Sequence, residues 1–313
     1  MPEWHILEID AATRLDQLLA RRWELLDHRG IREMVVREAI LINGQPAQNL
    51  GQWVKPTDEV RVNLPDLKPV EVPKLRSRLQ LSIAHEDDAI LMLDKPAGIS
   101  VRRAGGSAQA RRQPTVSQLL VELRPEIAHI GGVGRAGVVT TLDDDESGLI
   151  LVGKTEEAYR GLRRLIKRHR AVEAYTALVE GNLRAEYTIE EPIGNYKHTR
   201  RRLRVTREGR PARTFVRPQQ HYKESNRDYT LVYVRPETSR MHQIRVHLAW
   251  FGFPIVGDKV YGTKRQTVLP DRLFLHLSQV QLKHPVSGKE LTVESLLPQE
   301  LYSVLQYMRR PKF

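Results

Sequence analysis

Residues 142–155 read Leu142-Asp143-Asp144-Asp145-Glu146-Ser147-Gly148-Leu149-Ile150-Leu151-Val152-Gly153-Lys154-Thr155. Four successive acids precede an apolar, β-rich run, so the stretch predicts a turn that leads into a strand. The acids are spaced partly as in a calcium-binding loop, but Lys154 stands where the bidentate Glu would be needed, which excludes that site. A magnesium site stays open, although no second acidic motif lies at a suitable distance. The usual alternative is a solvated acidic turn between two strands.

The acidic turn stands out because the chain as a whole is basic. Its 313 residues include 50 Lys+Arg against 38 Asp+Glu, which gives a formal charge of +12. Such an excess favours a polyanionic partner, most simply nucleic acid. The absence of cysteine excludes a disulfide scaffold, thiol catalysis, iron–sulfur clusters and Cys-ligated zinc. Histidine and carboxylate metal sites stay open.

The N-terminal sequence MPEWHILEIDAATRLD (residues 1–16) carries acids early and lacks a basic region followed by a long apolar core. It therefore does not have the pattern of a secretory signal. No later run reaches the ~18 apolar residues of a membrane span. We expect a soluble, cytoplasmic protein that acts as a monomer without a membrane partner.

The length predicts roughly two domains, and the pattern near the N-terminus indicates a small one. Residues 14–20 and 30–36 have apolar side chains at helical spacing, which predicts two short helices. The Asn43-Gly44 pair after a β-rich run predicts a tight hairpin, and residues 58–63 alternate like a strand. Three prolines between residues 64 and 80 favour an extended connector. We therefore expect domains at 1–63 and 81–313, joined by a proline-rich linker at 64–80.

The larger region is strand-rich, with β-type runs at residues 89–93, 149–152, 175–179 and 229–234. Residues 156–170 form the clearest helical pattern, with an apolar face and a basic opposite side. Because strands and helices do not alternate strictly, the pattern favours an α+β fold with a mixed, mainly antiparallel sheet over a doubly wound parallel sheet.

Residues 132–137 satisfy the G-x-G-x-x-G spacing of dinucleotide-binding loops. That motif requires its last glycine to open a helix that faces the pyrophosphate. Residues 138–142 are instead β-branched and strand-like, so the sequence predicts a flexible glycine loop.

The acidic turn and the strand after it resemble the RluA family of pseudouridine synthases. The family signature is His-Arg-Leu-Asp, three variable residues, Ser-Gly-Leu, and a strand that ends in Lys-Thr. Further matches follow in the family's order over the whole chain beyond residue 81: His85-Glu86-Asp87, Leu93-Asp94-Lys95-Pro96-Ala97-Gly98, Tyr175-Thr176-Ala177-Leu178-Val179-Glu180-Gly181, Pro192-Ile193-Gly194, Thr238-Ser239-Arg240-Met241-His242-Gln243-Ile244-Arg245-Val246-His247-Leu248, Gly252-Phe253-Pro254-Ile255-Val256-Gly257-Asp258-Lys259-Val260-Tyr261-Gly262, Leu275-His276 and His284-Pro285. Residues 14–63 also resemble the RNA-binding domain of the S-four ribosomal type that the family often carries.

The resemblance implies a reaction and three catalytic residues. Conversion of uridine to pseudouridine breaks the N-glycosidic bond, turns the uracil and rejoins it through carbon, so no redox cofactor is expected. Asp143 is implied as the catalytic carboxylate, acting either as nucleophile or as the base that shapes a glycal intermediate. Tyr175 is implied to pack on the flipped uracil. Arg245 is implied to pair with the carboxylate and to keep it ionised.

Other titratable residues of these motifs are not expected to be catalytic. Asp144 and Asp145 would raise the proton affinity of Asp143 if they point the same way. His242 and His247 lie five apart in a predicted helix, and without an acidic third ligand they favour packing or hydrogen bonding over a metal site. Asp94 and Asp258 are expected to be structural.

The partner is expected to be RNA, ribosomal rather than transfer RNA because of the N-terminal unit. A basic run from residue 197 to 213, in which acids are almost absent, is similar to a β-ribbon or loop that lies on phosphates. Arg32 and Arg37 would add a second phosphate contact in the N-terminal unit. The candidates in the run are Lys197, Arg200, Arg201, Arg202, Arg204 and Arg207.

The chain departs from the family pattern in three places. Thr140-Thr141 replaces the family's His-Arg, whose arginine is expected to enter the RNA where the flipped base had been; Glu173 replaces a lysine; and residues 238–241 differ from Thr-Gly-Arg-Thr. A non-catalytic RNA-binding paralogue is therefore the alternative to an enzyme. A magnesium-dependent nuclease that uses residues 143–146 is a third hypothesis.

Overall fold

The computed structural model describes residues 4–15, 18–19, 34–35, 37–49, 51–63, 81–102, 114–132, 134–196, 199–224, 226–263, 268–269 and 272–309. The helices are α1 (Val116–Leu123), α2 (Glu156–Lys167), α3 (Gln243–Trp250) and α4 (Gln299–Arg309), with a 3₁₀ turn at Pro125–Ile127. The strands are β1 (Trp4–Leu7), β2 (Thr13–Arg14), β3 (Ile40–Ile42), β4 (Gln45–Pro46), β5 (Trp53–Val54), β6 (Val60–Asn63), β7 (Ser82–Glu86), β8 (Ile90–Lys95), β9 (Ser147–Gly153), β10 (Val172–Glu180), β11 (Tyr187–Ile189), β12 (Ile193–Tyr196), β13 (Thr199–Val205), β14 (Thr214–Glu224), β15 (Arg227–Pro236), β16 (Leu275–Lys283) and β17 (Glu290–Glu294).

One large sheet organises the chain beyond residue 81. Within the described residues it has nine strands in the order β11-β14-β15-β10-β16-β9-β8-β7, with β17 paired to β16. Neighbours are antiparallel except β9 and β16, which are parallel. The predicted α+β class with a mixed, mainly antiparallel sheet is therefore confirmed.

Strand β9 lies at the centre of the core because both of its faces are covered. All seven of its residues are buried, as the apolar run in the sequence requires. Gly148 has φ +123, and a Cβ built there would lie 2.3 Å from the Leu277 carbonyl oxygen. Only glycine allows β9 to approach β16 this closely. The turn that precedes β9 is thereby fixed against the sheet.

Helix α2 follows β9 and packs on it. Thr155 caps the helix by accepting from the Ala158 amide, and Ala158, Gly161 and Leu162 are buried. The predicted helix extended to residue 170, but it ends at Lys167, because His169 adopts φ +53 and the Arg170 amide donates to the Leu165 carbonyl. A left-handed residue that closes the last turn in this way terminates a helix.

The strand-like pattern at residues 138–142 does not give a regular strand. Val138 forms an isolated bridge with Val152, and the Val139 amide donates to the Leu151 carbonyl. The Leu151 amide then donates to the side-chain oxygen of Thr140 at 2.9 Å. Because a side chain replaces a backbone carbonyl here, the regular ladder of backbone hydrogen bonds stops at this point.

The N-terminal residues form a separate small sheet in the order β1-β6-β3-β4. Asn43 and Gly44 turn between β3 and β4 with φ of 52° and 78°, as tight hairpins require. Leu19 and Met34 are buried beside this sheet, but most of the two predicted helices and the whole predicted linker lie outside the described residues. No helix in the described part of the chain is long and apolar enough to cross a membrane.

Candidate active site

Asp143 sits in a tight turn immediately before β9. The Glu146 amide donates to the Asp143 carbonyl at 3.1 Å, and the Asp143 amide donates to Glu146 Oε2 at 3.0 Å. The next carbonyl, that of Asp144, accepts from the Gly98 amide at 2.8 Å and from the fully buried Lys95 Nζ at 3.2 Å. The backbone that carries Asp143 is therefore held from both sides.

Arg245 connects two carboxylates at this turn. It lies on α3 with its side chain 5% exposed, and its Nη1 donates to Asp143 Oδ2 at 2.8 Å. Its Nε and Nη2 donate to the two oxygens of Asp258, each at 2.8 Å. The two carboxylates raise the pKa of Arg245 against the effect of its burial, and Arg245 in turn lowers the pKa of Asp258. The guanidinium is thus fixed by Asp258 while it presents one nitrogen to Asp143.

His242 is the second partner of Asp143, and its own position is unusual. It is the N-cap of α3 in the left-handed region, with φ 54, and its Nε2 lies 3.2 Å from Asp143 Oδ2. Its Nδ1 lies 2.9 Å from the hydroxyl of Tyr261, and that hydroxyl accepts from the Leu203 amide at 3.1 Å.

These contacts assign the tautomer of His242. Since Asp143 Oδ2 accepts from Arg245, it also acts as acceptor toward His242, so Nε2 carries the ring proton and donates it to Asp143. In a neutral ring Nδ1 is then an acceptor, and the Tyr261 hydroxyl donates to it. Burial lowers the pKa of His242 while Asp143 opposes the shift, which agrees with a neutral ring.

Glu146 is the carboxyl group that faces Asp143. Asp144 and Asp145 are exposed, whereas Glu146 is buried, and no separate role for Glu146 was predicted from the sequence. Burial, and then the charge of Asp143, raise the pKa of Glu146 to about 8. A protonated Glu146 leaves Asp143 without a second negative charge beside it.

A cleft of about 390 Å³ opens above Asp143. Its lining includes Ile166, His169 and Ala171, together with Pro236 and residues 238–244. Glu173 and Tyr175 of β10 also line the cleft, and the Tyr175 hydroxyl donates to Glu173 Oε2 at 3.4 Å. The Tyr175 side chain is largely buried, and burial raises its pKa and that of Glu173. The Asp143 side chain is 28% exposed and can be reached from this cleft.

The two threonines before Leu142 have different environments. Thr140 is buried and accepts from the Leu151 amide, so it completes the backbone of the sheet. Thr141 is exposed and lines the cleft. The departure from the family pattern therefore changes the rim at Thr141, while the ion pair of Asp143 and Arg245 is kept.

The basic run forms an antiparallel ribbon of β12 and β13. The Arg202 guanidinium lies 6.0 Å from the Tyr196 ring and 5.9 Å from the Tyr261 ring, and that of Arg204 lies 5.2 Å from Tyr196. Arg207 and Arg37 are exposed. The remaining predicted RNA contacts, Arg32, Lys197 and the side chains of Arg200 and Arg201, lie outside the described residues.

Four residues of the site were missed or given only a structural role from the sequence. They are His242, Tyr261, Asp258 and Glu146. His242 and Asp258 stand in quoted motifs, but nothing in their spacing indicates a left-handed cap or a fork of hydrogen bonds. No group of three or more His, Asp and Glu in the described ranges is arranged to hold a metal ion.

Comparison with known proteins agrees with this architecture. The model of the family described as RNA pseudouridylate synthase matches residues 89–250. The structure of human RNA pseudouridylate synthase domain containing 1 superposes with a TM-score of 0.56 at 23% identity, over 74% of this chain and 96% of that one. The structure of human RNA pseudouridylate synthase domain containing 4 superposes with a TM-score of 0.57 at 20% identity, over 73% of this chain and 93% of that one. At these identities the two structures establish the fold.

Two curated relatives extend over nearly the whole chain. An uncharacterized RNA pseudouridine synthase of Bacillus subtilis, YlyB, is 31% identical over 97% of this chain and 96% of its own length. The ribosomal large subunit pseudouridine synthase D of Escherichia coli is 30% identical over 97% of this chain and 93% of its own length. The chain therefore belongs to the RNA pseudouridylate synthase family, and it is an RNA pseudouridine synthase, an isomerase.

Proposed function

We propose that this chain converts uridine to pseudouridine in ribosomal RNA and that Asp143 is its catalytic carboxylate. The observation that carries the proposal is the 2.8 Å ion pair of Asp143 and Arg245 at the base of an open cleft. The ribosomal substrate is inferred from the name of the Escherichia coli relative. With ribosomal RNA as its substrate, the protein would act in the cytoplasm.

The two oxygens of Asp143 have different tasks in this proposal. Oδ2 accepts from Arg245 and His242, whereas Oδ1 takes no hydrogen bond from the described residues. Oδ1 is thus the reacting atom. It either attacks C1′ of the ribose or removes the C2′ proton to give a glycal, and in both cases uracil leaves with the bonding electrons of the N-glycosidic bond. The Arg245 guanidinium holds the carboxylate through Oδ2 before this step.

Tyr175 and Arg245 complete the proposed catalytic set. Tyr175 packs on the detached uracil, which must turn until its C5 faces C1′ and bond to it. This bond releases Oδ1 from C1′ or, in the glycal route, accompanies return of the removed proton to C2′; C5 then loses its proton to water and N1 takes one up. The largely buried ring and its hydrogen bond to Glu173 suit a fixed stacking surface. The cleft volume of about 390 Å³ suits one nucleotide.

Extraction of a uridine from its stack costs about a few kcal/mol, which contacts to the RNA backbone offset. We assign these contacts to Arg202 and Arg204 of β13 and to Arg207 in the turn that follows it. Lys197, Arg200 and Arg201 extend this set, and Arg32 and Arg37 add a contact from the N-terminal unit. The proposed organisation is an S-four-type RNA-binding domain at 1–63, a proline-rich linker at 64–80 and the catalytic domain at 81–313.

Asp143→Asn tests the proposal, with Asp145→Asn as the matched control because Asp145 is an exposed acid of the same turn. Pseudouridines are mapped across total RNA from cells that carry no copy, the wild type or either variant. We expect a position in ribosomal RNA that the wild type and Asp145→Asn modify and that Asp143→Asn does not. If no RNA is modified while the protein binds RNA, the non-catalytic alternative is correct; if Asp143→Asn is active, another residue is the carboxylate.

A further inference from the structure

Two arginines outside the cleft contact Tyr159 of α2, and a third lies near them. The Arg163 guanidinium carbon lies 5.8 Å from the centre of the Tyr159 ring, and Arg135 Nη1 donates to the Tyr159 hydroxyl at 3.4 Å. Ser117 Oγ lies 3.1 Å from the Val101 carbonyl oxygen and 3.4 Å from the Arg135 carbonyl oxygen, which places the half-buried Arg102 next to Arg135. Burial, and then the charges of Arg135 and Arg163, lower the pKa of Arg102. We call Arg102, Arg135 and Arg163 the arginine triad.

The arginine triad lacks the acidic partners that other arginines of the chain have. Arg245 pairs with Asp258, Arg124 with Glu86 and Arg272 with Glu300. Within the described residues, no ion pair forms with any member of the triad. Arg102 and Arg135 are half-buried and Arg163 is exposed. Three like charges this close repel each other, and an anion between them removes that repulsion. Phosphate suits such a site because each guanidinium can donate two parallel hydrogen bonds to it.

The arginine triad lies beside the cleft. Gly131 has φ +74, and a Cβ there would lie 2.3 Å from the Tyr159 ring, so the loop that carries Arg135 rests on this ring. The loop continues to Val139, which lines the cleft. Arg163 is three residues before Ile166, another cleft residue, and residues at this spacing share a helix face. Exposed Lys167 follows Arg163 by one turn.

The β12–β13 ribbon adjoins a different part of the cleft. Asn195 and Leu203 of the ribbon border a second hollow together with residues 239–241, which also line the cleft. Extraction of one nucleotide bends the strand on both of its sides, so the backbone must be held before and after the target uridine. The ribbon supplies cations on one side of the cleft, and the arginine triad supplies them next to Val139 and Ile166.

We propose that Arg102, Arg135 and Arg163 bind a phosphodiester of the RNA strand whose uridine enters the cleft. This inference rests on the proposed function, because it takes RNA as the substrate. It adds a phosphate site next to α2, apart from the ribbon and from the N-terminal unit.

Arg163→Gln and the double variant Arg102→Gln/Arg163→Gln test the site. Arg164→Gln is the matched control because it removes the same charge from an exposed position of the same helix. The dissociation constant for single-stranded RNA that spans the modified position is measured against salt concentration. We expect the slope of log K against log salt to become shallower by roughly 0.7 for each phosphate that the protein no longer neutralises. KM for RNA should rise several-fold with kcat unchanged, and Arg164→Gln should match the wild type.

Two outcomes overturn the inference. In the first outcome, both triad variants have the same KM for RNA and the same slope of log K against log salt as Arg164→Gln. In the second outcome, the wild type and the double variant have equal affinities for RNA, but inorganic phosphate raises the melting temperature of the wild type more than that of the double variant. The site would then bind a free anion and not RNA. The affinity for RNA is measured without turnover. If the protein binds RNA but makes no pseudouridine, the proposed function is refuted, whereas the affinities of the triad variants and Arg164→Gln can still be compared.

Discussion

His242 Nε2 lies 3.2 Å from Asp143 Oδ2, and the other nitrogen of the same ring lies 2.9 Å from the Tyr261 hydroxyl. Leu203 of the β12–β13 ribbon donates to that hydroxyl, so one continuous set of hydrogen bonds joins the basic ribbon to the carboxylate. The proposed binding of RNA to the ribbon would therefore be connected to Asp143 through two side chains.

Tyr261→Phe should lower kcat by about tenfold and leave KM for RNA nearly unchanged. The substitution removes the hydroxyl that donates to Nδ1 of His242, a loss of ~1–1.5 kcal/mol for one hydrogen bond. It keeps the aromatic ring on which the Arg202 and Arg245 guanidinium groups lie. Single-turnover and steady-state rates on RNA provide the measurement. Tyr302→Phe, at a partly exposed tyrosine of α4, is the control, and an unchanged kcat in Tyr261→Phe would refute the role of the hydroxyl.

Asp258→Asn should reduce both stability and turnover. Asp258 is 3% exposed and accepts two hydrogen bonds from Arg245, so its neutralisation leaves a buried cation with half of its charge partners. We expect a loss of ~3 kcal/mol in the free energy of unfolding and a fall in kcat, because Arg245 is no longer fixed against Asp143. Urea denaturation and kcat are compared with those of Asp145→Asn, which removes an exposed carboxylate. Equal stability of the two variants would contradict the buried ion pair.

The sequence predicted the fold class because β-type runs and one amphipathic helix recur without strict alternation. The family resemblance placed Asp143 and Arg245 together, although they are 102 residues apart. The pair of His242 and Tyr261 was not predictable in the same way. It depends on a left-handed backbone at a non-glycine residue and on a loop that returns to the ribbon, and neither has a local signal.

The acidic turn illustrates the same limit. Four consecutive acids gave no indication of which side chains are buried, because turns have no fixed period. The structure buries Glu146 and exposes Asp144 and Asp145. Thr140, whose side chain ends the strand-like run, was also interpreted only as a departure from the family pattern.

Thr140→Val and Thr141→Val should differ in stability although they are the same change at adjacent positions. The first leaves the Leu151 amide without its acceptor inside the sheet, at a cost of about 1–3 kcal/mol. The second alters an exposed side chain and should change stability by less than about 0.5 kcal/mol. Thermal and urea unfolding measure both. Similar losses in the two variants would show that the Thr140 hydroxyl has no structural role.

Glu146→Gln should remove a dependence of stability on pH. Burial and Asp143 raise the pKa of Glu146 from 4.5 to about 8. Between these two values the folded protein holds a proton that the unfolded chain has lost, so the free energy of unfolding falls as pH rises through this range and then levels off. Glutamine is neutral at every pH and lacks this dependence.

Other perturbed groups also make stability depend on pH, but Glu146→Gln retains them. Burial lowers the pKa values of His242, His247 and His276 from 6.5 and raises that of Glu173 from 4.5, so these groups change within the same range in both proteins. Burial lowers the pKa of Lys95 to about 8, so its contribution changes above that value. Hydrogen bonds from the Ile90 and Ala89 amides outweigh burial and hold the pKa of Asp87 at about 2, so its contribution changes in acid. Urea denaturation at several pH values between about 5 and 8 should therefore show the stability of the wild type declining relative to Glu146→Gln. A difference that stays constant would mean that Glu146 is ionised beside Asp143, and the carboxylate would then act next to a second negative charge.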